Sequence, residues 1–263
     1  MRHGAGLVMD WKQSTGILLV GGDSKVIKTW DAQTEIQGLC SQDIDTSSEA
    51  PVTSIASDPG PSQMFVAGFG DGWIKVFDRR LEEEEAIVQT HRGHFAWVQN
   101  VKPHPTMMYQ FLSASVEGEV KLWDIRGRTD KVVTTWNLMQ DVGLSAFDVH
   151  STAEVFAGWA FLLRILESER SVLTSSHSSS AITNTRYRSQ RLSFRSLVAE
   201  HDEPLSQYNI STGLVTAPVK LNPSPYIPRA SSFVFHPTEM LCGVGESDGS
   251  SELYLAVFSM FIC

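Results

Sequence analysis

Phe69-Gly70-Asp71-Gly72-Trp73-Ile74-Lys75-Val76-Phe77-Asp78 is one of three spellings of the same phrase in this 263-residue chain. Gly21-Gly22-Asp23-Ser24-Lys25-Val26-Ile27-Lys28-Thr29-Trp30-Asp31 precedes it, and Val116-Glu117-Gly118-Glu119-Val120-Lys121-Leu122-Trp123-Asp124 follows it. The closing aspartates, Asp31, Asp78 and Asp124, fall 47 and 46 residues apart. Each copy reads as an apolar strand, an acidic-glycine turn and an alternating strand that ends on an aromatic residue and Asp. Asp71-Gly72 is a two-residue hairpin signal because glycine accepts φ > 0, and Phe65-Val66-Ala67 and Ile74-Lys75-Val76-Phe77 carry the residue types a pleated strand favours.

Working outward, strands are predicted at Gly6–Trp11, Gly16–Gly22 and Val26–Asp31 in the first unit. The second unit reads Val52–Asp58, Met64–Gly70, Trp73–Arg79 and Ala86–His91, and the third Trp97–His104, Tyr109–Ser115, Glu119–Ile125 and Lys131–Leu138. A sandwich does not require a 46-residue motif to recur, whereas a propeller built from one four-stranded sheet per repeat does. The period slightly exceeds the roughly 40–45 residues of a WD-type blade. The fold class is therefore all-β, a WD-repeat β-propeller.

A fourth unit opens at Gly143–His150 and Glu154–Ala160, then loses its pattern after Phe161. Seven serines between Ser168 and Ser180, with few apolar residues to offset ordering, predict a disordered insert over 161–187. The pattern resumes at Arg191–Leu197 and Leu205–Ile210. A last unit, Phe233–Pro237, Leu241–Gly249 and Leu253–Ser259, lacks its fourth strand. Residues 1–263 thus read as a partial propeller of about five blades, which either closes on itself or stays an open arc whose terminal faces expose apolar surface.

Composition narrows the function. With 42% hydrophobic and 19% charged residues the chain is globular rather than wholly disordered, and a formal net charge of −9 disfavours nucleic acid or an anionic membrane as partner. Cys40, Cys242 and Cys263 show no metal-ligand spacing, so neither zinc nor a disulfide framework is expected. No run of 18 apolar residues and no signal-peptide pattern occurs, which reads as a cytoplasmic protein. Gly68-Phe69-Gly70-Asp71-Gly72 leads into a strand, not a helix, and is a turn rather than a dinucleotide fingerprint. Glu82-Glu83-Glu84-Glu85 reads as a solvated loop. No catalytic residue, cofactor or small-molecule substrate is expected.

Two sets of residues stand out. His94, Ser113 and Trp123 match the hydrogen-bonded set that fixes a WD blade, with Glu117 in the turn position where Asp is usual. His94 as a general base lacks an accompanying nucleophile and orienting group. Arg79, Arg80 and Arg126 follow the aromatic-Asp pairs in Phe77-Asp78-Arg79-Arg80 and Trp123-Asp124-Ile125-Arg126, and are candidate partner contacts. That arrangement resembles the short motif by which WD-repeat substrate receptors dock on a cullin ubiquitin ligase adaptor.

Longer stretches resemble one family. Gly70 to Arg80, His94-Phe95-Ala96-Trp97-Val98, Gly143-Leu144-Ser145-Ala146-Phe147-Asp148-Val149-His150, Arg188-Ser189-Gln190-Arg191-Leu192 and Phe235-His236-Pro237 are similar to the carboxy-terminal propeller of raptor, the scaffold subunit of TOR complex 1, in fungal-looking form. The resemblance covers about Gly21–His150 and Tyr187–Asp248. It implies a seven-bladed ring of which this chain is a fragment, TOR kinase and its complex subunits as partners, a nutrient-signalling role, and a place at the vacuolar or lysosomal surface. It carries no substrate-binding or catalytic residue onto this chain. The alternative is a ubiquitin-ligase substrate receptor using Arg80 and Arg126.

Overall fold

The computed structural model describes residues 6–32, 41–83, 85–127, 132–138, 143–161, 205–213, 215–219, 230–239, 241–246 and 251–255. They form five antiparallel sheets in sequence order. The first is β1 (Leu7–Lys12), β2 (Ile17–Gly22), β3 (Val26–Asp31) and β4 (Ser41–Asp45). The second is β5 (Val52–Ser57), β6 (Met64–Phe69), β7 (Trp73–Asp78) and β8 (Ile87–Arg92), and the third β9 (Val98–Pro103), β10 (Gln110–Ser115), β11 (Glu119–Asp124) and β12 (Val132–Asn137). The fourth is β13 (Gly143–Val149), β14 (Val155–Phe161), β15 (Leu205–Asn209) and β16 (Val215–Val219); the fifth holds β17 (Ala230–Phe235), β18 (Leu241–Glu246) and β19 (Ser251–Leu255).

Each sheet is a simple meander, and first strands touch in succession, β1 on β5, β5 on β9, β9 on β13 and β13 on β17. These strands line the axis, and the fourth strands lie outermost. Alternation along β6 and β7 sends Phe65, Ala67, Phe69 and Phe77 towards the first sheet and Val66, Ile74 and Val76 towards the third. Four apolar clusters result, one at each joint between consecutive sheets. Phe65 and Phe77 stack with centroids 4.8 Å apart, and Phe111 and Trp123 repeat that stack one sheet on, at 6.1 Å. Trp30 holds the corresponding place in β3, but it is 49% exposed and shares an open face with Leu7, Met9 and Trp11.

Several expectations are corrected. The turn at Asp71-Gly72 is a three-residue loop, not a two-residue one: Gly72 N–H reaches Phe69 O at 3.2 Å, Gly72 sits at φ +86°, and pairing resumes at Gly68 with Ile74. Gly118 repeats it, with N–H to Ser115 O at 3.0 Å and φ +82°. The first unit has a fourth strand, β4, whose Ser-Gln-Asp-Ile-Asp gives no apolar run: among Gln42 to Asp45 only Ile44 enters the core. In the fourth sheet Leu205–Asn209 is the third strand, paired to β14, and Val215–Val219 is an unanticipated fourth. The predicted strand at Arg191–Leu197 and all but Phe161 of the 161–187 insert lie outside the described residues.

Candidate functional site

The joint between the second and third sheets carries a polar chain within its apolar surroundings. Residues Glu119, Lys121 and Trp123 share one face of β11 by period-two alternation, and Ser113 lies beside them on β10. Trp123 Nε1–H donates to Ser113 Oγ at 2.9 Å. The serine oxygen stands 2.7 Å from His94 Nε2, and His94 Nδ1 is 3.2 Å from Glu119 Oε2. An indole can only donate and a carboxylate can only accept, so the serine hydroxyl donates to Nε2 and Nδ1–H donates to Glu119. Lys121 Nζ closes the system, 2.9 Å from Glu119 and bonded to Gly93 O.

His94, Ser113 and Trp123 thus come together, whereas Glu117 does not join them. It sits exposed at the turn tip, and Glu119 takes the acidic place. Counting back in twos from Trp123 gives Glu119, the signal that would have identified it. Burial, reinforced by the Lys121 charge and opposed by Glu119, pushes the His94 imidazole down to about 4, so the ring is neutral at neutral pH, as the chain of donors requires. Serine, histidine and carboxylate in this order resemble a hydrolase triad. Ser113 is fully buried and already engaged by an indole, so it cannot meet a substrate.

Gly93 explains why a small residue precedes the histidine. A Cβ there would stand 2.5 Å from Trp123 Cζ2, so only glycine lets the β8–β9 connection close over the indole. One blade earlier the corresponding positions are Ser48, Ala67 and Phe77, and no polar chain is built. Lys75, in the place of Lys121, still donates to the preceding connection, at 2.6 Å from Thr46 O and 3.0 Å from Ser47 O.

The three candidate arginines lie at the other end of the sheets and differ among themselves. Arg80 folds back on Asp78, its Nε 3.0 Å from Oδ1 and its Nη2 2.6 Å from Oδ2, while its own backbone N–H caps Oδ1 at 3.0 Å. Arg126 repeats this on Asp124, with Nε and backbone N–H each 3.0 Å from Oδ1, and lies over Tyr109 at 5.7 Å. Hydrogen bonds from the arginines hold both carboxyls well below the usual carboxylate range. Arg79 turns inward instead, donating to Gln63 Oε1 at 2.9 Å. At this end an apolar cleft of about 70 Å³ opens between the second and third sheets, walled by Met64, Met108, Tyr109, Phe111 and Ile125.

Bonds between first strands tie the arc together along the axis. Asp10 Oδ2 accepts the Ser57 N–H at 2.7 Å, Ser54 and Asn100 pair at 3.0 Å, and Asn100 Nδ2 donates to Phe147 O at 3.1 Å. Asp148 receives Lys102 at 2.9 Å and the Phe235 N–H at 2.9 Å. The sequence reading also missed a turn device at the arginine end. Nδ1 of His104, His150 and His236 accepts backbone N–H groups two and three residues ahead, at 3.0 to 3.3 Å, and Asp58 does so for Gly60 at 3.2 Å. Among the described residues no group of three or more His, Cys, Asp or Glu is placed to hold a metal ion, and no helix is long and apolar enough to cross a membrane.

Repeated meanders around an axis, a His-Ser-Trp joint and aromatic-Asp strand ends define a WD-repeat β-propeller, and the family model for the WD domain, G-beta repeat, matches residues 85–124. The mip1 subunit of target of rapamycin complex 1 from Schizosaccharomyces pombe is 39% identical over 153 residues, 58% of this chain and 11% of that protein. The corresponding KOG1 subunit of Saccharomyces cerevisiae is 31% identical over 182 residues, 65% of this chain and 12% of that one. The crystal structure of Chaetomium thermophilum Raptor superposes on 98% of this chain and 20% of its own, with a TM-score of 0.70 at 27% identity. Over its WD region the chain is a homologue of the raptor family of TOR complex 1 subunits. It spans about a tenth of the length of these curated relatives.

Proposed function

We propose that this chain is a non-catalytic interaction scaffold, the WD-repeat part of a raptor-like subunit that supports TOR kinase signalling in the nutrient response. The observation that carries the reading is the likeness to Raptor across 98% of the chain, joined to the 39% identity with the mip1 subunit. A propeller arc presents loops and turns at two ends and an edge at each rim, which suits several simultaneous protein contacts. TOR kinase and other subunits of its complex are the partners proposed, and the vacuolar or lysosomal surface, reached through that complex, is the proposed location. A ubiquitin-ligase receptor is the less favoured reading, because Arg80 and Arg126 each spend their guanidinium on a neighbouring aspartate.

The test is affinity purification of the tagged protein from its own cells, with an Arg80→Ala/Arg126→Ala variant in parallel. TOR kinase subunits retained by both forms are expected. Cullin-adaptor subunits that disappear with the arginines, or chaperones alone, would overturn the proposal.

A further inference from the structure

The most exposed apolar side chain among the described residues, Phe95 at 89%, is adjacent in sequence to one of the most buried polar ones, His94 at 2%. A lone exposed aromatic residue is ordinary on a protein surface. Phe95 differs in how firmly it is held and in what surrounds it. His94 N–H donates to Gly72 O at 3.2 Å on one side, and Trp97 O accepts the Val116 N–H at 3.1 Å on the other. Lys121 grips Gly93 O, and the imidazole of His94 is locked into the Ser113–Trp123 chain. The loop is pinned by two neighbouring hairpin turns and by the interior beneath it.

Those two turns carry Asp71 and Glu117 at their tips, both exposed, and neither has an ion-pair partner among the described residues. Half-buried Trp97 lies beside Gly70 and Pro51, and Arg92 covers the half-buried Trp73 ring at 5.8 Å. A projecting aromatic among other aromatic groups, with charge at the rim, is the composition of an interface anchor. Rigidity lowers the ordering cost on binding, because the loop loses little freedom when covered. The chain's formal charge of −9 adds long-range attraction for a cationic partner.

We infer that the β8–β9 connection is a docking knob: Phe95 enters an apolar pocket on a protein partner, and Asp71 and Glu117 meet lysine or arginine on that pocket's rim. The surface lies at the opposite end of the sheets from Arg80 and Arg126 and does not depend on which complex the protein serves.

The experiment places the photo-reactive amino acid benzoylphenylalanine at position 95 of the full-length protein in its own cells, and maps the cross-linked residue on the partner by mass spectrometry. A single partner site is expected, apolar at the cross-linked residue and flanked by Lys or Arg. Asp71→Asn/Glu117→Gln is expected to lower its yield roughly threefold to tenfold, about 0.6–1.4 kcal/mol for the two exposed charge pairs together. Phe95→Ala should leave the melting temperature unchanged while abolishing co-purification of the partner so mapped. The inference is overturned by an absent cross-link, by products as scattered as those from the same group at exposed Val133, by a partner site bearing acidic residues, or by a yield indifferent to the carboxylates. Each outcome is independent of whether the TOR complex subunits co-purify in the purification described above.

Discussion

The Ser113 hydroxyl lies 2.7 Å from Nε2 of His94, and one blade earlier the equivalent pair, Ala67 and Ser48, makes no such bond. The second blade replaces indole, hydroxyl and imidazole together, by Phe77, Ala67 and Ser48. A polar chain and an apolar stack are alternative solutions for the same joint, and each is complete. Mixtures of the two are not.

Ser113→Ala should therefore be costly, because it strands both His94 Nε2 and the Trp123 indole N–H in the interior. A loss of about 1–3 kcal/mol in urea unfolding is expected. The triple variant His94→Ser/Ser113→Ala/Trp123→Phe, which spells this joint as the one between the first and second sheets, should recover part of that loss. A triple variant less stable than the sum of its single changes would show that the two solutions are not interchangeable.

Phe77→Ala tests the apolar version. Phe77 is fully buried and stacked on Phe65 between the first two sheets, so truncation should cost about 3–5 kcal/mol. Trp30→Ala removes the equivalent residue of the first blade, which is half-exposed, and should cost much less. Thermal or denaturant unfolding of the two variants side by side reads the difference directly.

These contrasts also mark what the sequence could and could not disclose. The 46-residue period is legible because each blade must offer the same row to its neighbour: Phe65 and Phe77, then Phe111 and Trp123. The fourth strand of the first sheet was not legible, because an outermost strand buries one side chain, Ile44, and may be polar elsewhere without penalty to the core. The strand at Leu205–Asn209 was legible, but it ends on Tyr208-Asn209, an amide in place of the usual Asp, so its rank as the third of its sheet was not. Glu117 stands out because a turn position is obvious in sequence, whereas Glu119 shows only when the strand is counted in twos back from Trp123.

The His94 environment makes stability depend on pH. A free histidine titrates near 6.5, and this one is held down to about 4 when folded. The unfolded chain therefore binds the proton more readily, and stability rises with pH between those values. The contribution is fully present above about 6.5 and is lost as pH falls towards about 4, a change on the order of 3 kcal/mol. His104, also lowered by burial, adds to the loss in the same direction. Urea midpoints from pH 7.5 down to 4 should fall, and His94→Gln should flatten the curve. An unchanged slope in that variant would place the pH dependence elsewhere.

Gly93 gives the sharpest steric test. The methyl group of Gly93→Ala would arrive 2.5 Å from Trp123 Cζ2 and 3.1 Å from Ile74 Cδ1, both of which are packed in the joint. Neither neighbour is the free end of a flexible surface chain, so the connection itself must lift. Overpacking of this kind costs about 1–3 kcal/mol. Lifting the connection would also lengthen the bond from Lys121 to Gly93 O and pull His94 from Ser113, so the loss should exceed that of Ser113→Ala. Pairing Gly93→Ala with Trp123→Phe, which shortens the aromatic side chain, should relieve the clash. The double variant is expected to be more stable than Gly93→Ala alone, a sign inversion that unfolding measurements on the two single variants and the double variant would detect.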